Sequence, residues 1–145
     1  MFSKTIIVLV SAVGCCAMAS AGLATAQQPA QFTAKGGNAD AAKIPNPTPA
    51  SAESIARGKV VFQASCVPCH GPNADGKGEQ IPAMGVKPAN LTRFQYTYGT
   101  SDGEIFTNVK NGVLPDLNMP PWDEIVSDPD IWNIVNYLRT MRKPN

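Results

Sequence analysis

The sequence predicts a small helical domain. Three stretches open on a serine placed as a helix cap, at Ser51, Ser101 and Ser127, and each runs on into apolar residues at three- and four-residue steps. Between them lie Gly- and Pro-rich segments, Gly71 to Gly78 and Met119-Pro120-Pro121, which read as turns and loops.

The first 26 of the 145 residues have the pattern of a secretory signal. Lys4 supplies the positive start, Thr5 to Met18 is mostly apolar, and Ala24-Thr25-Ala26 fits a small-x-small cleavage site, which sets the mature start at Gln27. An uncleaved anchor fits less well, because the apolar core is short and Ser11, Ser20 and Thr25 interrupt it. A lipidated Cys15 is disfavoured by Ala12, which stands where a large aliphatic residue is expected. Cleavage after Ala26 removes Cys15 and Cys16 and leaves one pair, Cys66 and Cys69. Residues 27–50 carry Pro45, Pro47 and Pro49 in a Pro/Ala/Gly-rich stretch, expected as an extended leader that tethers or wraps the surface. The domain is expected over 51–145.

Its first helix runs from the Ser51 or Ser54 cap to about Ala64, with Ile55, Val61 and Phe62 on its apolar side. Gly58 lies inside it. A mid-helix glycine costs about 1 kcal/mol relative to alanine, so it predicts close approach of another helix. After the second serine come Ile105, Phe106 and Val109, with Glu104 completing a capping box and Gly112 ending the segment. The last helix follows Ser127 and Asp130, with Pro129 in its first turn and Ile131, Ile134, Val135, Leu138 and Met141 forming one stripe that Trp132 and Tyr137 widen. Arg139, Arg142 and Lys143 are expected as surface groups compensating the dipole at its end.

Chemistry concentrates in Cys66-Val67-Pro68-Cys69-His70. Two thiols two residues apart, with an imidazole directly after, form the local signature of covalent haem attachment. A redox dithiol would sit between a strand and a helix, whereas a helical segment precedes this motif and a Gly/Pro-rich loop follows it. A structural zinc site would need four ligands, and the chain has no second histidine. The glycines of 71–78 match neither dinucleotide nor P-loop patterns. A second chemical stretch is Asn118-Met119-Pro120-Pro121-Trp122. A thioether is a soft ligand suited to haem iron opposite histidine, and the prolines restrict the loop presenting it. Met119 is therefore expected as the axial ligand in preference to Met84 in the loop over 79–93 or Met141 in the last helix. The Pro88 carbonyl is the expected acceptor for the other ring proton of His70. Trp122 is read as a hydrogen-bond donor to a haem propionate or as a packing residue. Tyr96 and Tyr98 are read as pocket contacts or half-buried aromatics.

With Lys87-Pro88-Ala89-Asn90-Leu91 and the closing Ile131-to-Arg139 segment, these motifs resemble the class I monohaem cytochrome c family over about residues 51 to 142. The resemblance implies an all-α cytochrome c fold, about three to five helices wrapped around one haem c. Cys66 and Cys69 would form the thioethers, and His70 and Met119 would coordinate iron. The first helix, carrying Gly58 and Phe62, would cross the last near Trp132 and Tyr137. The implied function is a soluble, monomeric periplasmic electron carrier rather than an enzyme, or alternatively a haem-bearing subunit of a larger oxidoreductase. A haem enzyme or gas sensor would need an open distal position and a pocket acid or base, and no second histidine exists to supply one. The sequence is similar to periplasmic cytochromes that accept electrons from a quinoprotein dehydrogenase or pass them to a terminal oxidase or another cytochrome. Without the signal, eleven basic and eleven acidic side chains balance, so long-range attraction to a partner is modest. Scattered Lys and Arg without a basic face argue against nucleic acid, and no stable membrane insertion is expected.

Overall fold

The computed structural model describes residues 35–85, 87–113 and 119–143; the expected signal, Gln27 and Asn118 lie outside them. The chain is all-α. Among the described residues there are five α-helices: α1 Ala52–Ser65, α2 Val67–His70, α3 Ile81–Met84, α4 Asp102–Asn111 and α5 Asp128–Met141. A 3-10 turn, Ala41–Lys43, precedes them, and an isolated antiparallel bridge joins Val113 to Met119. No helix of the described residues is long and apolar enough to cross a membrane.

The caps stand where the serines predicted. Ser51 Oγ accepts from Ser54 N–H, and Ser127 Oγ from Asp130 N–H. At α4 the box closes both ways, Ser101 Oγ accepting from Glu104 N–H while Glu104 Oε2 accepts from Ser101 N–H.

The core is the crossing of α1 and α5. Gly58 sits at the crossing: a methyl there would run into the Asn133 carbonyl and lie 2.9 Å from Ile134 N. The expected aromatic partners divide. Tyr137 meets Phe62 of α1, ring centroids 5.6 Å apart, but Trp132 turns to α4 and stacks on Phe106 at 4.1 Å. Phe62, Ile131, Ile134 and Val135 are fully buried between them. A polar seam runs along the same contact, Ser54 Oγ donating to Asn133 Oδ1 (2.7 Å) and Asn136 Nδ2 to Ser54 Oγ (2.8 Å).

The described part of the expected leader is bound to this body. Gly36 N–H donates to the Thr97 carbonyl (2.9 Å) and Asn38 N–H to Glu104 Oε1 (2.9 Å). The 3-10 turn lies on Gly103, where a methyl would meet the Ile44 carbonyl at 2.7 Å. Asn46 Nδ2 donates to Asn136 Oδ1 (2.8 Å), and Asn136 Nδ2 to the Thr48 carbonyl (3.1 Å). Residues 35–50 thus form a strap across α4 and α5.

At the other terminus the basic residues do more than face the end of α5. Arg139 pairs with Asp102, and Arg139 and Arg142 each donate through Nη2 to the Thr100 carbonyl at 3.0 Å. Arg142 also lies over the Tyr96 ring, 4.9 Å from its centroid, and Tyr96 OH donates to the Leu91 carbonyl (2.8 Å). Tyr98 offers its carbonyl to Asn108 Nδ2 (2.7 Å). These bonds hold the loop over 91–101 against α4 and α5.

Candidate haem site

The attachment motif folds as one helical turn continuing from α1. Cys66 N–H donates to the Phe62 carbonyl and ends α1; the Cys66 carbonyl then accepts from His70 N–H, both at 2.8 Å. Residues three and four apart on a helix share a face, so Cys66, Cys69 and His70 present their side chains to one side. Both thiols are free and half-buried. Burial, with a smaller contribution from Cys69, pushes the Cys66 thiol up to about 12, so it stays protonated in apolar surroundings. Burial likewise lowers the His70 pKa, partly opposed by a hydrogen bond to Ala89, and the imidazole is neutral.

That bond fixes which nitrogen is available. His70 Nδ1 lies 3.1 Å from the Ala89 carbonyl, and a carbonyl can only accept, so Nδ1 carries the proton and Nε2 keeps its lone pair. The acceptor is thus Ala89 and not Pro88. The reason is local: the Pro88 carbonyl turns toward Gly76, 2.7 Å from where a methyl would stand there, which leaves the next carbonyl to face the ring.

Met119 comes from the end of α4. Gly112, at φ 76°, stops the helix, and Val113 N–H donates back to the Met119 carbonyl (3.0 Å). A side chain at 112 would meet that carbonyl at 2.6 Å and Pro121 N at 2.9 Å, so only glycine lets the loop lie against the helix end. Trp122 N–H then bonds to the carbonyls of Val109 and Lys110. Met119, Trp122, Cys66, Leu91 and Phe106 pack half-buried against the core cluster. Trp122 is seen packing and bonded through its backbone. Met84 closes α3, and Met141 is half-buried at the end of α5.

Among the described residues, no group of three or more His, Cys, Asp or Glu is gathered to hold a bare metal ion. The donors that are gathered fit a haem. Two thiols stand a turn apart on the Cys66–His70 turn, and the imidazole beside them has Nδ1 tied back to the Ala89 carbonyl. The clasp residues Ala89, Gly76 and Gly112 were missed as site residues. Their signal was glycine and backbone in loops, which periodicity does not report.

The comparisons with known proteins agree with this geometry. Residues 53–138 match the family model described as "Cytochrome C oxidase, cbb3-type, subunit III". A curated relative, the cbb3-type cytochrome c oxidase subunit CcoP of Azospirillum sp. (strain B510), is 28% identical over 93 residues, which are 63% of this chain but 30% of that protein. The chain thus spans about a third of that relative's length. Among solved structures, the reducing HAO-like protein complex of Kuenenia stuttgartiensis superposes with a TM-score of 0.59 at 21% identity, covering 70% of this chain and 49% of that one. Cytochrome cL of Methylophaga aminisulfidivorans gives 0.51 at 25%, covering 72% and 59%, and that of Hyphomicrobium denitrificans 0.50 at 22%, covering 62% and 48%. This is a c-type haem-binding electron-transfer domain.

Proposed function

We propose that this chain, which belongs to the cbb3-type cytochrome c oxidase subunit III family, works as the haem-bearing electron-transfer module of a larger periplasmic oxidoreductase. One haem c would be held by thioethers at Cys66 and Cys69, with His70 and Met119 supplying ligands to its iron. The observation that carries the reading is the Cys66–His70 turn with Nδ1 of His70 tied to the Ala89 carbonyl, which leaves Nε2 free for iron. When bound, haem supplies a one-electron Fe(III)/Fe(II) couple.

The protein's part is placement. Cys66 and Cys69 would anchor the group beside the α1–α5 crossing, Ala89 orients the imidazole, and the Gly112 turn holds the loop that would offer the Met119 thioether. Apolar surroundings and a sulfur ligand favour the ferrous form over a more electron-donating ligand pair. With His70 and Met119 both committed to iron, the chain would pass electrons and make or break no substrate bond. Quinoprotein dehydrogenases as donors and a terminal oxidase or another cytochrome as acceptor fit this role. The free monomeric carrier suggested by the sequence gives way to the module reading, which the family match and a relative named as an oxidase subunit favour.

Periplasmic and mildly solubilised membrane fractions of the source cells, separated by native electrophoresis and stained for haem peroxidase activity, test this. Covalent haem migrating within a large complex is expected. A haem band confined to the monomer position in the periplasmic fluid would restore the free carrier.

A further inference from the structure

We infer that Gly76 is a positioning residue for His70: the glycine loop over 71–78 is a wedge that sets the strength of the hydrogen bond His70 gives to Ala89, and with it the reduction potential. The inference rests on His70 being an iron ligand.

The loop folds back along the attachment turn and takes up its carbonyls in reverse order. Gly76 N–H donates to the His70 carbonyl (2.9 Å), Gly78 N–H to Cys69 (3.1 Å) and Gln80 N–H to Pro68 (3.1 Å). These carbonyls end a helix and have no partner along it, so the loop supplies what the helix lacks. The approach is tight enough that a methyl at Gly78 would collide with the Pro68 carbonyl. On its other side the loop meets the segment carrying the imidazole's acceptor. Leu91 N–H donates to the Ala74 carbonyl (2.7 Å), with Ala74 fully buried at φ 54°. A methyl at Gly76 would stand 2.7 Å from the Pro88 carbonyl oxygen and 3.4 Å from that of Ala89.

Gly76 therefore touches both partners of the His70–Ala89 bond. It is tied to the His70 main chain and lies against the 88–89 peptide, so its lack of a side chain sets how near the acceptor comes to the ring. Any Cβ must push the 88–89 backbone away from the body that holds the imidazole. A longer Nδ1–H···O bond makes the imidazole a poorer electron donor, which destabilises ferric iron and raises the potential.

The test compares wild-type holoprotein with Gly76→Ala and Gly85→Ala. Gly85 has a left-handed φ of 65° and nothing within 4 Å of where a methyl would stand, so it reproduces the backbone strain without the contact. The wild-type spectrum is recorded first: absence of covalent haem or of a methionine–iron charge-transfer band there would refute the functional reading, apart from this one. With both present, Gly76→Ala is expected to raise the midpoint potential, increasing the reduced-to-oxidised ratio at a fixed ambient potential by about threefold or more. It is also expected to speed exchange of the His70 Nδ1 proton in NMR spectra of the reduced protein, the charge-transfer band staying in place. A potential equal to that of Gly85→Ala, or one shifted downward, overturns the inference. Should Gly76→Ala yield no holoprotein, hydrogen exchange in the wild type decides: the Gly76 amide and the His70 Nδ1 proton must open together with one free energy, and independent opening overturns it.

Discussion

Gly58→Ala puts the helix crossing to a direct test. Alanine is the better helix former by about 1 kcal/mol, so at an uncrowded position the substitution would stabilise the protein. Here the added methyl would overlap the Asn133 carbonyl and stand 2.9 Å from Ile134 N, and both are backbone atoms of α5 that cannot rotate aside. To reach ordinary contact the helices must part by about 1.5 Å, and a gap beyond about 1 Å forfeits half or more of each affected dispersion contact. The contacts at stake include the fully buried Phe62, Ile134 and Val135. Overpacking of this kind costs about 3 kcal/mol at the upper end, and subtracting the propensity gain leaves a net loss of about 2 kcal/mol. Urea unfolding of the holoprotein, followed by circular dichroism, should show the midpoint lowered by about 1 M at an unchanged slope. A midpoint equal to or above wild type would refute the close crossing.

Met119→Ala should abolish the methionine–iron charge-transfer band while leaving the haem covalently bound; an intact band would transfer the ligand role to another methionine. Removing residues 27–50 should leave haem attachment in place but lower the urea midpoint, and Asn136→Ala alone should cost about 2 kcal/mol by stranding the Asn46 and Ser54 groups it bonds. Burial pushes the Glu104 carboxyl up, but hydrogen bonds from Ser101, Asn38 and Thr100 together outweigh it and hold the group below its ordinary 4.5. A depressed carboxyl contributes stability that is complete above that value and lost as pH falls through the lower folded one. Stability measured from pH 6 downward should therefore decline on the acid side of 4.5, with a shallower slope in Glu104→Gln, and parallel slopes would remove Glu104 from the strap.

The parts legible in the sequence were those with a repeating or spaced signal. Serine caps gave the starts of α1, α4 and α5, and Gly58 announced the crossing because its cost inside a helix needs a reason. The Cys66–His70 spacing singled out the haem turn. What stayed hidden runs through backbone groups and asparagines. The strap over 35–50 is held by Asn38, Asn46 and peptide groups, and its composition resembles that of a chain burying little. Arg139 and Arg142 read as dipole compensation because their acceptors, Asp102 and the Thr100 carbonyl, are about 40 residues away. The shift from Pro88 to Ala89 turns on which way one peptide faces, and side-chain patterns carry no record of that.

The strap has a consequence for how the chain comes together in time. Its bonds to Glu104 and Asn136 join residues 66 to 90 positions apart, and the Gly58 crossing needs Asn133 and Ile134. A chain emerging from its N-terminus can bond Asn38 only once Glu104 is out, and can form the Asn136 bonds and the Gly58 crossing only when nearly all of it is out; long-range contacts are the slow ones to close. Cys66 and Cys69 stand ahead of α4 and α5 in the chain, so in that order of emergence the two thiols are out before the helix that closes on α1.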